Sequence, residues 1–198
     1  MAVENRSRVR THPERAVPEQ ADEILENGLV AHVGFAVDGQ PYVIPMLYHY
    51  EGSTIYIHGQ RGGRLPRTLR AGTPVCVEVT ILDGLITSRH ALYHSANYRS
   101  SVAFGTAREV TDRDEKEAVL ERMTRRYFPG RTVGEHYHAP TDGDLKITSL
   151  LAIDIEELNG KRRSGPPAGP DDADDSPEAF GTRGIIPVKA TGEVGLPE

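Results

Sequence analysis

The fold is decided by residues 29–58, which read LVAHVGFAVDGQPYVIPMLYHYEGSTIYIH. Apolar side chains stand at every second position from Leu29 to Val37, the spacing of a β-strand with one buried face. Asp38-Gly39 is a typical hairpin turn, so a second strand is predicted from Tyr42 to Tyr50. After another turn, a third strand covers Thr54–His58. Two tight turns between three strands predict an antiparallel meander.

The rest of the chain supplies three more strands and three helices. The predicted strands are Pro74–Leu82, Tyr98–Val110 and Thr148–Ile155, and the helices are a short one after Pro18, one over Leu65–Ala71 and one from Thr111 to Tyr127. Gly105 interrupts its strand, which predicts a bulge or a bend there. Thr111 and Asp114 have the spacing of a helix-capping box. The pattern predicts a mainly β fold with inserted helices, a six-stranded antiparallel barrel.

The chain divides into a central domain and two flanking segments. Residues 1–16 are polar and are predicted to be a flexible arm, and residues 17–160 form the barrel domain. Residues 161–198 contain a long loop rich in Pro, Gly and Asp, which is typical of solvated chain. Within that tail, the short apolar run Gly184–Val188 is predicted to dock back on the barrel.

Composition excludes several classes of protein. The 198 residues carry 23 Lys and Arg against 29 Asp and Glu, a net charge of −6, which argues against general nucleic-acid binding. Cys76 is the only cysteine, so neither an intrachain disulfide nor a thiolate zinc site is expected. No apolar stretch has the length of a signal sequence core or a membrane span. A cytoplasmic location without membrane or nucleic-acid partners is therefore expected.

Four arginines stand out in this acidic chain. Arg61, Arg64, Arg67 and Arg70 fall within ten residues, beside the glycine pair Gly62-Gly63 and at the start of a predicted short helix. Backbone N–H groups at such a start, together with guanidinium groups, suit a phosphate. A solvated basic surface is the alternative. Pro45 lies inside the second strand, where it removes a backbone donor and so predicts an edge or bulged strand.

The order of five segments extends this interpretation. They are Pro41–Met46, Ile55–Gly59, Arg61–Arg70, Pro74–Val79 and Ser95–Val102. In this order they resemble the FMN-binding split-barrel superfamily, which is also called pyridoxamine 5'-phosphate oxidase-like, and within it the branch of nitroimidazole-resistance proteins. The resemblance runs from about His12 to Ile155 and continues into the tail around Arg163–Pro167 and Gly184–Pro187.

The resemblance implies a cofactor and a set of residues that hold it. The cofactor is FMN, and the strand with Val43, Ile44, Pro45 and Met46 lies along its isoalloxazine ring. His58 and Gly59 lie beside the flavin, and Arg64 binds its phosphate. Tyr98, Arg99 and Ser100 complete the pocket across the interface of a homodimer.

Three functions are compatible with this resemblance. The first is an FMN-dependent oxidoreductase acting on a small molecule with NAD(P)H or another electron donor, in which His58 delivers a proton. The second is a flavin carrier without a substrate of its own. The third replaces FMN by a deazaflavin or by haem, with His58 or the pair His136 and His138 as axial ligands. Vitamin B6 oxidation is not expected, because the C-terminal Arg and His signature of the true oxidases is missing.

No resident metal ion is expected. His90 with His94, and His136 with His138, have spacings that could suit a metal, but no recognised ligand motif accompanies either pair.

Overall fold

A computed structural model describes residues 5–188 of the chain. In chain order, its helices and strands are α1 Ala21–Asn27, β1 Ala31–Val37, β2 Gln40–Met46, β3 His49–Glu51, β4 Thr54–Gln60, α2 Arg64–Leu69, β5 Pro74–Thr87, β6 Ser95–Glu109, α3 Arg113–Tyr127, α4 Asp142–Ile147, β7 Thr148–Arg163 and β8 Gly184–Pro187. Short 3-10 turns lie at Pro13–Arg15, Pro18–Gln20 and Ala91–Tyr93.

The strands form one antiparallel sheet. Its order is β2-β1-β5-β6-β7-β4-β3, and β8 pairs separately with β5. The two end strands, β2 and β3, are joined by only Leu47 and Tyr48, so the two edges of the sheet must lie close together. The result is a barrel that is open between β2 and β3. The mainly β prediction is confirmed, but the sheet has eight strands instead of the predicted six.

The two extra strands are β8 and a strand that results from a break in the second predicted strand. The predicted strand Tyr42–Tyr50 is wrong as a single element, because the chain leaves the sheet at Leu47 and Tyr48. The hairpin between β1 and β2 is confirmed, with positive φ at Asp38 (50°) and Gly39 (79°), as a type I′ turn requires. The hairpin between β3 and β4 is also present. The predicted meander is wrong only in its central pairing. β2 and β3 do not pair with each other, since they lie at opposite ends of the sheet order.

The core fills the inside of the barrel and has a smaller extension outside it. Alternate residues on β1, β4, β5 and β7 point inward, among them the fully buried Val33, Ile57, Val77 and Ile153. On the outside, α3 packs Val119 and Met123 against Leu150 and Ala152 of β7. The helix begins one residue later than the predicted capping box, since Asp112 accepts the backbone N–H of Glu115 at 2.8 Å.

Two long strands, β6 and β7, are bent together by a bulge. Their register shifts between Phe104 and Gly105, which confirms the predicted bulge. A Cβ at Gly105 would lie 2.2 Å from the Asp154 carbonyl oxygen, so only glycine fits between these strands. Both strands exceed their predicted lengths, and β7 continues to Arg163 because β6 pairs with it along its whole extension.

Both flanking segments contact the barrel. Arg6 forms ion pairs with Glu156 (2.8 Å) and Glu157 (2.9 Å) on β7. At the other end, β8 pairs with β5, with Leu85 opposite Ile186. The remainder of the predicted arm and tail, residues 1–4 and 189–198, lies outside the described residues.

Candidate functional site

The end of β4 and the start of α2 form a tight corner at the rim of the barrel. Ile55 and Ile57 point into the core, so the alternate residue His58 faces outward. A Cβ at Gly59 would lie 3.3 Å from the Cγ atom of Pro66, which shows how closely α2 packs on the strand end. Gly62, by contrast, borders open space. This corner therefore leaves room for a group beside the backbone between β4 and α2.

The four arginines of this corner are exposed and are not neutralised by the protein. Within residues 5–188, none of Arg61, Arg64, Arg67 and Arg70 forms an ion pair with a carboxylate. Elsewhere, Arg99 pairs with Asp83 at 2.7 Å and Arg113 with Asp142 at 2.6 Å. In a protein with a net charge of −6, this concentration of unpaired positive charge favours an anionic ligand.

Arg64 connects the corner to the edge strand β2. Its guanidinium group lies 4.5 Å from the centre of the Tyr42 ring, a cation–π contact, and Tyr42 stacks in turn on Phe35 at 5.6 Å. The predicted phosphate-binding residue and the predicted ring-binding strand are thus neighbours. Tyr42 is a residue whose role the sequence pattern did not indicate, since its contact with Arg64 joins two segments that are 22 positions apart.

The strand β2 offers an open edge and an exposed face. It pairs with β1 on one side only, in agreement with the prediction from Pro45 of an edge strand. Val43 is 66% exposed, while Ile44 and Met46 are half-buried and pack against the barrel core. Of the four predicted ring-binding residues, Val43 and Pro45 therefore present their side chains outward. The unpaired backbone groups on the free edge are available to a polar ligand.

His58 is held in its neutral form. Partial desolvation by the surrounding protein lowers the pKa of its imidazole, and no charged neighbour opposes this effect. No hydrogen bond from its ring is present within residues 5–188. A neutral imidazole can donate or accept a proton, and it can also bind a metal through a ring nitrogen.

Tyr98, Arg99 and Ser100 lie elsewhere in the protomer. They belong to β6, which is separated from β4 by β7 and from β2 by β1 and β5. The Arg99 guanidinium makes a bidentate ion pair with Asp83, at 2.7 Å from Nη2 to Oδ1 and 3.1 Å from Nε to Oδ2. This pair lines a cavity of about 490 Å³ that also includes Asn97 and Arg162. One protomer thus leaves the two groups of predicted residues in different places.

A second basic cavity adjoins the arginine corner. It has a volume of about 390 Å³ and is lined by Arg61, Lys116 and Lys146, among others. Lys116 and Lys146 were not identified from the sequence because α4, which positions Lys146 and contacts Lys116, was not predicted. A six-residue helix with two Asp residues and a glycine has too weak a periodic signal to be recognised.

Residues 5–188 contain no group of three or more His, Cys, Asp and Glu side chains arranged to hold a metal ion. In the same part of the chain, no helix is both long and apolar enough to cross a membrane.

Comparison with known proteins identifies the family of this chain. The family model described as pyridoxamine 5'-phosphate oxidase matches residues 18–162. No curated protein matches the chain.

Two solved structures are similar over nearly the whole chain. The FAD and haem binding protein of Mycobacterium smegmatis is 32% identical, covers 88% of this chain and 84% of its own, and superposes with a TM-score of 0.78. The flavocytochrome Anf3 of Azotobacter vinelandii is 30% identical, covers 98% and 88%, and has a TM-score of 0.80.

A third solved structure shares the fold at lower identity. A putative 5-nitroimidazole antibiotic resistance protein of Bacteroides thetaiotaomicron is 21% identical over 74% of this chain and 86% of its own, with a TM-score of 0.62. These findings confirm the resemblance found in the sequence. The chain belongs to the pyridoxamine 5'-phosphate oxidase family.

Proposed function

We propose that this protein is a flavin-dependent redox protein that binds its cofactor between the edge strand β2 and the arginine corner at β4 and α2. The observation that carries the proposal is Arg64, an arginine without a carboxylate partner in residues 5–188 that lies directly over Tyr42 of β2. A flavin phosphate at Arg64 would place the ring system along β2, where Val43 and Pro45 are exposed.

The residues present fit a flavin phosphate and ring. The open space beside Gly62 and the unpaired guanidinium groups suit the phosphate, and the free backbone edge of β2 suits the polar edge of the isoalloxazine. When bound, the flavin supplies electron or hydride transfer, and the protein supplies orientation and hydrogen bonding. FMN is the cofactor that the family resemblance implies. The two solved structures at 30–32% identity belong to proteins named for FAD and haem, or as a flavocytochrome, which makes FAD the second candidate.

Binding of the flavin phosphate by Arg64 can be tested without knowing the substrate. We expect flavin-free protein to bind FMN saturably in a fluorescence titration and to bind riboflavin, which lacks the phosphate, much more weakly. Arg64→Gln should weaken FMN binding by about 10- to 100-fold, the loss expected for charge-assisted hydrogen bonds of about 1.5–3 kcal/mol. Arg125→Gln, at an exposed arginine near the C-terminal end of α3 and away from this corner, is the control. Equal affinity for FMN and riboflavin would show that Arg64 does not bind the phosphate.

Within this proposal, His58 delivers a proton to the reacting substrate. Its position at the end of β4, beside the proposed ring site, and its lowered pKa make it a neutral donor or acceptor at pH 7. His58→Ala should leave the flavin bound and slow substrate-stimulated oxidation of NAD(P)H by about 100-fold, the lower end for general acid–base catalysis. Unchanged turnover would exclude this role. A protein that binds flavin but never oxidises NAD(P)H in response to a substrate would be a carrier.

Haem is a second cofactor candidate, favoured by the names of the two similar structures. An axial ligand must be a neutral imidazole, and His58 has a lowered pKa and no hydrogen bond within the described residues. His136 is less suited because its Nδ1 atom accepts the Thr132 backbone N–H at 3.2 Å. In the neutral ring the proton is then on Nε2, so neither nitrogen has a free lone pair for iron. His138 lines a separate cavity beside α3.

The axial ligand can be tested by haem titration of the purified protein. The wild type should give a shifted Soret band with a saturable endpoint, and His58→Ala should lose this shift while His138→Ala retains it. A shift that survives in His58→Ala and disappears in His138→Ala would assign haem to the other cavity. The flavin titration above serves as the control for folding of each variant.

A further inference from the structure

We propose that the cavity lined by Arg61, Lys116 and Lys146 binds the adenosine-phosphate half of a dinucleotide flavin, so that FAD is preferred over FMN. This inference rests on the proposed flavin site, because the cavity begins at Arg61, three residues before Arg64. A flavin whose first phosphate lies at Arg64 would extend its second phosphate and its nucleoside toward Arg61. We call this space the adenosine cavity.

The adenosine cavity carries an excess of positive charge. Four basic side chains line it, Arg61, Arg113, Lys116 and Lys146, against the two acids Glu109 and Asp142. Arg113 already pairs with Asp142 at 2.6 Å and with Glu117 at 2.8 Å. Glu109 accepts a hydrogen bond from the Ser149 hydroxyl at 2.8 Å. Arg61 and Lys146 have no side-chain hydrogen bond or ion pair within residues 5–188, so two cations remain available to an anion.

Lys116 lines the adenosine cavity and is held in place by two hydrogen bonds to the backbone. Its side chain is only 9% exposed, and its Nζ atom donates to the backbone oxygens of Leu145, at 2.6 Å, and Thr148. It thereby fixes the C-terminal end of α4, the helix that carries Lys146. Burial lowers the pKa of Lys116 and the nearby charge of Arg61 adds to the effect, while Glu109 opposes it. A bound anion would reduce the repulsion between Arg61 and the desolvated Lys116.

The size and the apolar part of the lining suit a nucleoside. The volume of about 390 Å³ lies within the range of about 300–1,000 Å³ found for small-molecule sites. Val110 and Leu145 supply apolar surface for a base, and Thr111 supplies a hydroxyl group. A simple phosphate site would not need this space. The same adenosine-phosphate chemistry also occurs in NAD(P)H, so the test must separate the two sources.

The experiment compares FMN with FAD by isothermal titration calorimetry of the flavin-free full-length protein. We expect the wild type to bind FAD at least 10-fold more tightly than FMN. Lys146→Ala should weaken FAD binding by 5- to 10-fold and change FMN binding by less than 2-fold, and Lys146→Arg should restore FAD binding because it keeps the charge. Arg125→Ala, at an exposed arginine near the C-terminal end of α3 and outside the cavity, is the control. Alanine suits the helix at position 146, so Lys146→Ala is expected to fold.

The outcomes separate this inference from the proposed function. Equal affinities for FAD and FMN, or an equal loss for both in Lys146→Ala, would overturn the adenosine cavity and leave the flavin site intact. A Lys146→Ala variant with unchanged FAD affinity and a raised KM for NADPH would assign the cavity to the reductant and also overturn it. Failure to bind either flavin would refute the proposed function itself, and the inference with it.

Discussion

The Tyr127 hydroxyl group binds the backbone where the chain crosses between the two edge strands. The chain crosses from β2 to β3 at Leu47 and Tyr48, and the backbone N–H of Tyr48 donates to the Tyr127 hydroxyl of α3 at 3.0 Å. The same hydroxyl lies 2.8 Å from the Leu29 carbonyl oxygen, to which it can donate. Both tyrosines are buried. One side chain of α3 thus satisfies backbone groups at two turns that the sheet itself leaves unpaired.

Removing this hydroxyl should destabilise the protein. Tyr127→Phe keeps the ring and its packing but leaves the buried Tyr48 N–H without a partner, which costs about 1–3 kcal/mol. Urea unfolding followed by circular dichroism should show a lower midpoint with an unchanged slope. Tyr93→Phe, at an exposed tyrosine whose hydroxyl has no hydrogen bond within residues 5–188, should leave the midpoint unchanged. A Tyr127→Phe midpoint equal to the wild type would show that water replaces the hydroxyl.

At the scale of elements, local periodicity predicted most strands but not their ends. Alternation of apolar residues located the strands, and Asp38-Gly39 located one hairpin. The break at Tyr48 could not be predicted from the sequence, because the alternation continues through Tyr50. The contacts that hold Tyr48 outside the sheet, with Leu25 and Tyr127, come from distant parts of the chain. The extension of β7 beyond Ile155 likewise depends on pairing with β6, which is information that no short window contains.

The candidate site, too, could be predicted only in part from the sequence. The arginines and the strand that contains Pro45 could be identified from composition and motif order, because they are close in sequence. The contact of Arg64 with Tyr42 and the cavity at Lys116 and Lys146 could not, since they form only when α2 and α4 pack on the barrel.

The attachment of β8 to the barrel should depend on pH. The loop before β8 is anchored by Asp172, which is 3% exposed and accepts the backbone N–H groups of Arg89 at 2.9 Å and Gly169 at 2.7 Å. Burial alone would raise the pKa of Asp172, but these donors and the Ser88 hydroxyl outweigh it, and the pKa falls to about 2. Since an unfolded Asp titrates near 3.9, the anchor is fully present above that pH and is lost as the pH falls toward 2.

Hydrogen exchange can measure this loss. Protection of the β8 amides, after correction for intrinsic rates, should be constant from pH 7 to 5 and should fall between pH 4 and 2. Asp172→Asn should show low protection throughout and lose this pH dependence, while Glu178→Gln on the same loop should behave as the wild type. If Asp172→Asn kept the wild-type pH profile, another group would be responsible.

At the scale of the molecule, one protomer does not assemble the whole predicted site. Val43, His58 and Arg64 lie around β2 and the end of β4, whereas Tyr98, Arg99 and Ser100 lie on β6 with two other strands between β6 and β2. The family resemblance implies a homodimer in which these β6 residues complete the pocket across the interface, and a two-fold axis would give each copy the same arrangement.

An exposed apolar surface lies on β5 and β8, and we expect a dimer to bury it. Leu85 and Ile186 are directly opposite each other in the sheet, and they are 45% and 53% exposed. Because paired residues share a face, they form a continuous apolar patch of the kind that marks protein interfaces.

We therefore expect the wild type to have the mass of a dimer in size-exclusion chromatography with light scattering. Ile186→Glu should shift it toward the monomer at micromolar concentration and weaken flavin binding, because Tyr98, Arg99 and Ser100 would be lost from the partner's site. Val133→Glu, at a 40% exposed valine beside α3, should stay dimeric. A monomeric wild type that binds flavin with full affinity would show that β2, β4 and α2 hold the cofactor without β6.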